Sequence, residues 1–168
     1  RQDEEPWLEI FSKKEILFSR PSAHKREYAF RHALLRQASY EMLPADERRL
    51  GHLLAGRFLE DSGEREGMVL ADHFERGKDN PRAIHWLKVA AQQSLDADDL
   101  AGTLNRIDRA SNLGAVDEDL YVLRTIEAQV RFWLGEFALA EKAAQEALSS
   151  QNALTRLKAM SSLFDALG

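Results

Sequence analysis

Three side chains that can bind a metal ion, Asp72, His73 and Glu75, fall within four residues of one stretch of the chain. Neighbouring positions on a helix point about 100° apart, so these three side chains do not converge on one ion. The chain has five histidines, which lie singly on different segments: His24, His32, His52, His73 and His85. Neither HExxH nor a Glu-x-x-His pair occurs, and the absence of cysteine excludes a zinc–thiolate site. The sequence therefore predicts no metal ion and no cofactor.

Residues that could act as nucleophiles or as acid–base catalysts show no recognisable grouping. No serine lies in a nucleophile-elbow context, and neither a GxxxxGK[ST] loop nor the protein-kinase motifs occur. Asp96, Asp98 and Asp99 do cluster, but they indicate a polar turn in which Asp98 or Asp99 caps the next helix. The sequence therefore predicts no catalytic residue in this segment.

Length and composition place the chain among ordinary globular proteins. It has 168 residues, of which 44% are hydrophobic and 30% charged, and its net charge of −5 argues against nucleic acid as the main partner. No apolar run approaches the ~20 residues that a membrane span needs. The lack of cysteine fits a reducing compartment, so we expect a cytoplasmic location. Because the chain begins without methionine and stops within a repeated pattern, we expect it to be part of a longer polypeptide.

The periodicity of apolar residues predicts an all-α fold with one small β-hairpin. Residues 1–13 read as a short helix, and alternation on both sides of Pro21 predicts a hairpin over 15–31. Further helices are predicted over 33–43, 44–61, 68–76, 83–95, 100–113, 121–134, 137–148 and 154–167. Gly51 and Gly56 lie inside one of them, and we expect close packing by a neighbour to compensate for their low helix propensity.

Small residues recur where two helices of a hairpin must approach closely. In the stretch from Tyr121 to Leu148 they are Ala128, Ala140 and Ala147, with a turn at 134–136 between the two helices. Apolar faces are predicted from Leu123, Ile126, Val130 and Leu134 on the first helix, and from Phe137, Ala140, Ala144, Ala147 and Leu148 on the second. This unit resembles a tetratricopeptide repeat, a roughly 34-residue helical hairpin. Arg124 and Arg131 stand where that family usually has aromatic residues.

Further copies of the pattern favour an array of such hairpins. The pair Leu134-Gly135 recurs as Leu167-Gly168. When the sequence is aligned on these two pairs, Ser161 aligns with Ala128. Upstream, the same spacing of small residues is found at Ala91, Thr103 and Ala110, and at Ala71, Ala83 and Ala90. Each helix can thus end one hairpin and begin the next, which predicts a superhelix of antiparallel helix pairs in which units pack on their neighbours.

The resemblance to tetratricopeptide repeats implies a concave groove lined by the first helix of each hairpin. Its positions in the central unit are Val122, Thr125, Gln129, Phe132 and Trp133, and in the preceding unit His85, Lys88, Gln92, Leu95 and Asp96. We predict that a protein or peptide partner binds through His85, Lys88, Gln92, Gln129, Phe132 and Trp133. Large aromatic side chains are typical interface anchors. The alternative is that Phe132 and Trp133 pack on the next hairpin.

A second resemblance covers nearly the whole chain. The residues that carry it are Phe30 to Leu34, Tyr40, the run from Asp46 to Leu50, and the run from His73 to Gly77. This pattern is similar to the region that follows the ATPase module in bacterial STAND-type signalling proteins. It implies the tail of a winged-helix-like element at 1–31, linking helices at 32–80 and tetratricopeptide-like repeats at 81–168. In such proteins, ATPase and kinase, cyclase or transcriptional output modules lie outside this region.

The function that the resemblance implies is a non-catalytic interaction segment, which senses a partner and signals to upstream domains of the same chain. An alternative is a DNA-binding segment that uses the hairpin, where basic residues gather at Arg20, Lys25, Arg26, Arg31 and Arg36. The apolar side of the last helix, which includes Leu154, Leu157 and Met160, also predicts self-association.

Overall fold

The computed structural model describes residues 6–21 and 26–167, with the side chains omitted at Arg26 and over 163–167. Over these residues the chain forms nine helices and one pair of strands. They are α1 Pro6–Lys13, β1 Leu17–Pro21, β2 Arg26–Phe30, α2 Ala33–Met42, α3 Ala45–Asp61, α4 Gly67–Arg76, α5 Asn80–Asp96, α6 Leu100–Asn112, α7 Asp117–Trp133, α8 Phe137–Ala147 and α9 Ala153–Leu167. The predicted all-α fold with a small hairpin is confirmed.

The chain divides into two compact units, residues 1–48 and 49–168. In the first unit, β1 and β2 pair antiparallel with Leu17 opposite Phe30. The backbone N–H of Arg31 donates to the carbonyl of Ile16 at 2.9 Å, which extends the pairing by one bond. The hairpin predicted over 15–31 is therefore present. Its assignment to a winged-helix element, and the three-part division of the chain, stay predictions.

In the second unit, consecutive helices from α4 to α9 pack side by side, and α5, α7 and α9 also contact one another in turn. Its core holds large side chains with no more than 1% exposure: Leu70, Phe74, Leu87, Ile107, Leu123 and Val130. Nine of the ten small residues marked by the repeated spacing are at most 1% exposed, namely Ala71, Ala83, Ala90, Ala91, Thr103, Ala110, Ala128, Ala140 and Ala147. Small side chains therefore occupy the helix contacts where the spacing placed them.

The hairpin of α7 and α8 corrects several details of the sequence-based prediction. Gly135 takes a positive φ of 75° in the turn, a conformation that suits glycine. Leu134 and Phe137, predicted on the packed faces, are 45% and 53% exposed because they flank this turn. Ser161, aligned with the buried Ala128, is also exposed.

Two arginines of α7, Arg124 and Arg131, form ion pairs. Arg124 pairs with Glu127, and its Nε lies 2.9 Å from Glu146 Oε2 on α8. Arg131 Nη1 lies 2.6 Å from Glu136 Oε2 at the start of α8. Charge pairing thus joins α7 to α8.

The two glycines of α3 differ in their surroundings. A Cβ built on Gly56 would lie 3.1 Å from the Phe74 ring and 3.2 Å from His73 Cβ, so this glycine permits the close approach of α4. Gly51 has no neighbouring atom within 4 Å, and the expectation of close packing there is wrong. On the same helix, Leu50, Leu54 and Phe58 are exposed, whereas Leu53 and Leu59 pack on the core.

The helices α6 and α2 differ in their N-terminal caps. The Asp99 side chain accepts the backbone N–H of Gly102 at 2.9 Å and caps α6, as the acidic turn indicated. His32 stands at the N-cap of α2, but its side chain makes no capping hydrogen bond.

Candidate functional site

A groove with a volume of about 580 Å³ lies between the end of α5, one face of α7 and the first turns of α9. We call it the α5–α7–α9 groove. Its lining residues are Gln92, Glu118, Val122, Thr125, Ile126, Gln129, Phe132, Trp133, Asn152, Leu154, Thr155, Lys158, Ser161 and Ser162. Three helices thus contribute apolar and polar side chains to one open surface.

The position of α7 follows from its burial pattern. Leu123, Ile126 and Val130 recur at helical spacing and are buried, which fixes one face of the helix against the core. The adjacent face then carries Gln129 and Trp133 toward the groove. Lys88 on α5 forms an ion pair with Asp119 in the first turn of α7, which further ties these two helices together.

The aromatic end of the groove consists of Phe132 and Trp133. The Phe132 ring meets the Phe137 ring edge to face, with centroids 5.8 Å apart, so Phe132 also supports the start of α8. Trp133 is 49% exposed and presents its indole to solvent. A half-exposed indole provides a large apolar contact area together with one N–H donor.

The polar end is built around Glu118. One of its carboxylate oxygens accepts the Ser150 hydroxyl at 2.5 Å, and the other accepts the Thr155 hydroxyl at 2.6 Å. The Asn152 side-chain oxygen accepts the backbone N–H groups of Leu154 and Thr155 and caps α9. These bonds fix the first turn of α9 over α7 and engage both Glu118 oxygens.

The sequence-predicted site residues separate into two groups. Gln92, Gln129, Phe132 and Trp133 all line the groove. His85 and Lys88 do not line it. His85 is exposed on α5 with its ring against Trp86, and Lys88 is turned toward Asp119. Whether any of these residues binds a partner stays a prediction.

The groove has lining residues that the sequence reasoning missed. Asn152 and Thr155 lie at the start of α9. In the sequence, Asn followed three residues later by Thr indicates a helix cap, and this pattern does not indicate a binding site. Lys158 lies one turn further along the same helix. Among the described residues, no acid forms an ion pair with Lys158, and Glu118 is the other ionisable group in the lining. The groove can therefore bind an apolar group by stacking, a polar chain by hydrogen bonds, and a negatively charged group by electrostatic attraction.

A second cluster joins α3 to α4. His52 Nδ1 lies 3.3 Å from His73 Nδ1, and the two ring centroids are 5.2 Å apart. Val69, Asp72 and Arg76 line the same small cavity. Burial, and then the neighbouring His73 and Arg76, lower the pKa of His52, while Asp72 opposes that shift. The sequence reasoning treated these histidines as isolated because 21 positions separate them.

The basic residues of the hairpin are partly neutralised by acids of the same unit. Arg20 Nε lies 2.8 Å from Glu27 Oε2, and Arg31 Nη1 lies 3.7 Å from Glu15 Oε1. Lys25 and the Arg26 side chain lie outside the described residues. Since phosphate binding needs a concentrated positive face, these pairs count against the DNA-binding alternative, which stays a prediction.

The other surface predictions rest on exposed apolar residues. On α9, Leu154, Leu157 and Met160 are between 57% and 63% exposed, and self-association through them stays a prediction. Within the described part of the chain, no helix has both the length and the apolar character to cross a membrane.

Comparisons with family models, with curated proteins and with solved structures give no match at a significant level.

Proposed function

We propose that this chain is a non-catalytic protein-interaction segment that holds an extended stretch of a partner protein in the α5–α7–α9 groove. The observation that carries the proposal is the half-exposed Trp133, which lines the same groove as the amide side chains of Gln92 on α5 and Gln129 on α7. An indole supplies contact area at low entropic cost, and amides can pair with the backbone of an extended peptide. Surface tryptophans of this kind are common binding hot spots.

The charge of the lining favours a particular kind of partner segment. Glu118 is engaged by two hydroxyls, whereas Lys158 has no acidic partner among the described residues. A peptide with an apolar or aromatic side chain near Trp133 and a carboxylate near Lys158 would complement both the indole and the ammonium group. Because Lys158 is exposed, the carboxylate should contribute specificity more than affinity.

The biological setting of the proposal rests on resemblance alone. The chain is similar to the repeat region that follows the ATPase module of bacterial STAND-type signalling proteins. We therefore propose that it belongs to a larger signalling protein, in which partner capture is relayed to upstream domains. Any ATPase, kinase or cyclase activity would belong to those other domains.

A peptide selection followed by matched tryptophan substitutions tests the proposal. Peptides are selected from a random phage-displayed library on the intact chain, and their affinity is measured by fluorescence anisotropy. Trp133→Ala should weaken binding by at least about tenfold, since a hot-spot truncation costs about 2 kcal/mol or more. Trp7→Ala is the matched control, because Trp7 is 48% exposed and lies in the other compact unit.

Two outcomes would count against this function. Equal losses in Trp133→Ala and Trp7→Ala would indicate nonspecific aromatic binding. Unchanged affinity in Trp133→Ala would show that the selected peptides bind elsewhere. A melting curve of each variant separates lost binding from lost folding.

A further inference from the structure

The histidine pair between α3 and α4 has the geometry of two ligands around one ion. Two imidazole nitrogens bound tetrahedrally at about 2.0–2.1 Å from a metal are about 3.3–3.4 Å apart. His52 Nδ1 and His73 Nδ1 are 3.3 Å apart. The two nitrogens are therefore already at the separation that a tetrahedral ion requires.

The ring orientation distinguishes a converging pair from an ordinary hydrogen bond. An imidazole centre lies about 1.1–1.2 Å behind its nitrogen, so rings that converge on a tetrahedral ion have centroids about 5.2 Å apart. In a straight N–H···N bond of the same length, the centroids would be about 5.6 Å apart. The observed distance is 5.2 Å. The centroid separation thus matches that of a pair that converges on one ion.

We propose that His52 and His73 bind a late first-row divalent cation such as Zn²⁺ through their Nδ1 atoms, and that the ion joins α3 to α4. Imidazole nitrogen suits Zn²⁺, Ni²⁺ and Cu²⁺, whereas Mg²⁺ and Ca²⁺ prefer oxygen. No group of three or more His, Cys, Asp or Glu side chains among the described residues could hold a metal ion. The protein therefore supplies two imidazole ligands, and water molecules supply the other ligands of the tetrahedrally coordinated ion.

The surrounding charges are mixed. Asp72 lines the same cavity and attracts a cation, although one of its oxygens accepts from Arg109 Nη2 at 2.7 Å. Arg76 lines the cavity as well and opposes a cation. Binding needs both imidazoles with their proton on Nε2, so an imidazole that donates from Nδ1 in the His52–His73 contact must transfer that proton to its Nε2 through water. No net proton is released.

The position of the site gives the ion a structural consequence. Gly56 lets α3 approach Phe74 and His73 closely, so the two helices meet next to the histidine pair. An ion that binds only the folded arrangement stabilises it by mass action. We therefore expect Zn²⁺ to raise the melting temperature of the chain and a chelator to reverse the rise.

Calorimetric titration of the tag-free chain with Zn²⁺ tests the proposal. His52→Gln and His73→Gln should each weaken binding at least about tenfold, because one remaining imidazole makes a much poorer site. His85→Gln is the matched control, since His85 is exposed on α5 away from the pair and should leave the affinity unchanged. An equal loss in all three variants, or no loss in the first two, would overturn the assignment.

Imidazole NMR signals of the unaltered chain give a test that does not depend on how the variants fold. Substoichiometric Zn²⁺ should shift the ring signals of His52 and His73 together before those of the other three histidines. Small shifts spread evenly over all five histidines would mean adventitious surface binding and would refute the site.

Discussion

Two glycine-to-alanine substitutions in the second unit should change stability in opposite directions. Gly67 begins α4, and a Cβ added there would lie 2.5 Å from the Ala90 backbone nitrogen and 2.8 Å from Ala90 Cα. Gly51 lies inside α3 with no neighbouring atom within 4 Å. The same methyl group therefore meets backbone at one position and solvent at the other.

The magnitude for Gly67→Ala follows from the displacement that the methyl group requires. Reaching an ordinary contact distance of about 3.5 Å means that α4 and α5 must separate locally by about 1 Å, and overpacking of this kind costs about 1–3 kcal/mol. The Gly67 N–H also donates to Gln93 Oε1 at 2.9 Å, and its loss adds about 1 kcal/mol. The better helix propensity of alanine offsets at most about 1 kcal/mol of this loss in stability. The expected net loss is about 1–4 kcal/mol.

Gly51→Ala should instead stabilise the chain by about 0.5–1 kcal/mol, because alanine restricts the unfolded chain and favours the helix. For a chain of this size, each kcal/mol shifts the melting temperature by about 2–4 °C. Circular dichroism melts and urea titrations of the two variants beside the wild type measure both effects. A Gly67→Ala variant as stable as the wild type would refute the close packing of α4 on α5. A Gly51→Ala variant destabilised as much as Gly67→Ala would refute the open surroundings described for Gly51.

Three further substitutions test other contacts. Glu118→Ala removes the acceptor of two hydroxyls at the start of α9. It should lower the free energy of unfolding by about 1–3 kcal/mol in urea titrations and speed amide hydrogen exchange in α9. Unchanged exchange in α9 would contradict this expectation. Trp86→Phe removes an Nε1–H bond of 2.8 Å to Glu60 and should cost about 1–2 kcal/mol in thermal melts, whereas a variant without any loss would show that the bond contributes little. Ala144→Leu overfills the α7–α8 contact and should lower the melting temperature, and a stabilised variant would show unfilled space there.

Local features of the fold were accessible from the sequence. Spacing of apolar residues and the positions of proline and glycine give the helices to within a few residues. The small residues at Ala128, Ala140 and Ala147 indicate where helices meet, because a larger side chain would hold them apart. The expectation that Gln129 and Trp133 line a groove came from the resemblance to tetratricopeptide repeats and not from periodicity.

Features that depend on distant contacts were not accessible. Nothing local distinguishes Gly51 from Gly56, since the difference lies in where α4 crosses α3. The contact between His52 and His73 depends on the same crossing. The hydrogen bonds that Glu118 accepts from the Ser150 and Thr155 hydroxyls depend on how α9 packs over α7. Periodicity assigns a face to each helix but does not specify which residue of a neighbouring helix it meets.

The indole N–H signals of the chain test the central claim most directly. The chain has three tryptophans: Trp7 in the first unit, Trp86 bound to Glu60, and Trp133 in the α5–α7–α9 groove. When a selected peptide is titrated into the labelled chain, the Trp133 signal should shift with saturation while those of Trp7 and Trp86 stay in place. A saturating shift of Trp7 or Trp86 with Trp133 unmoved would contradict partner binding in the groove.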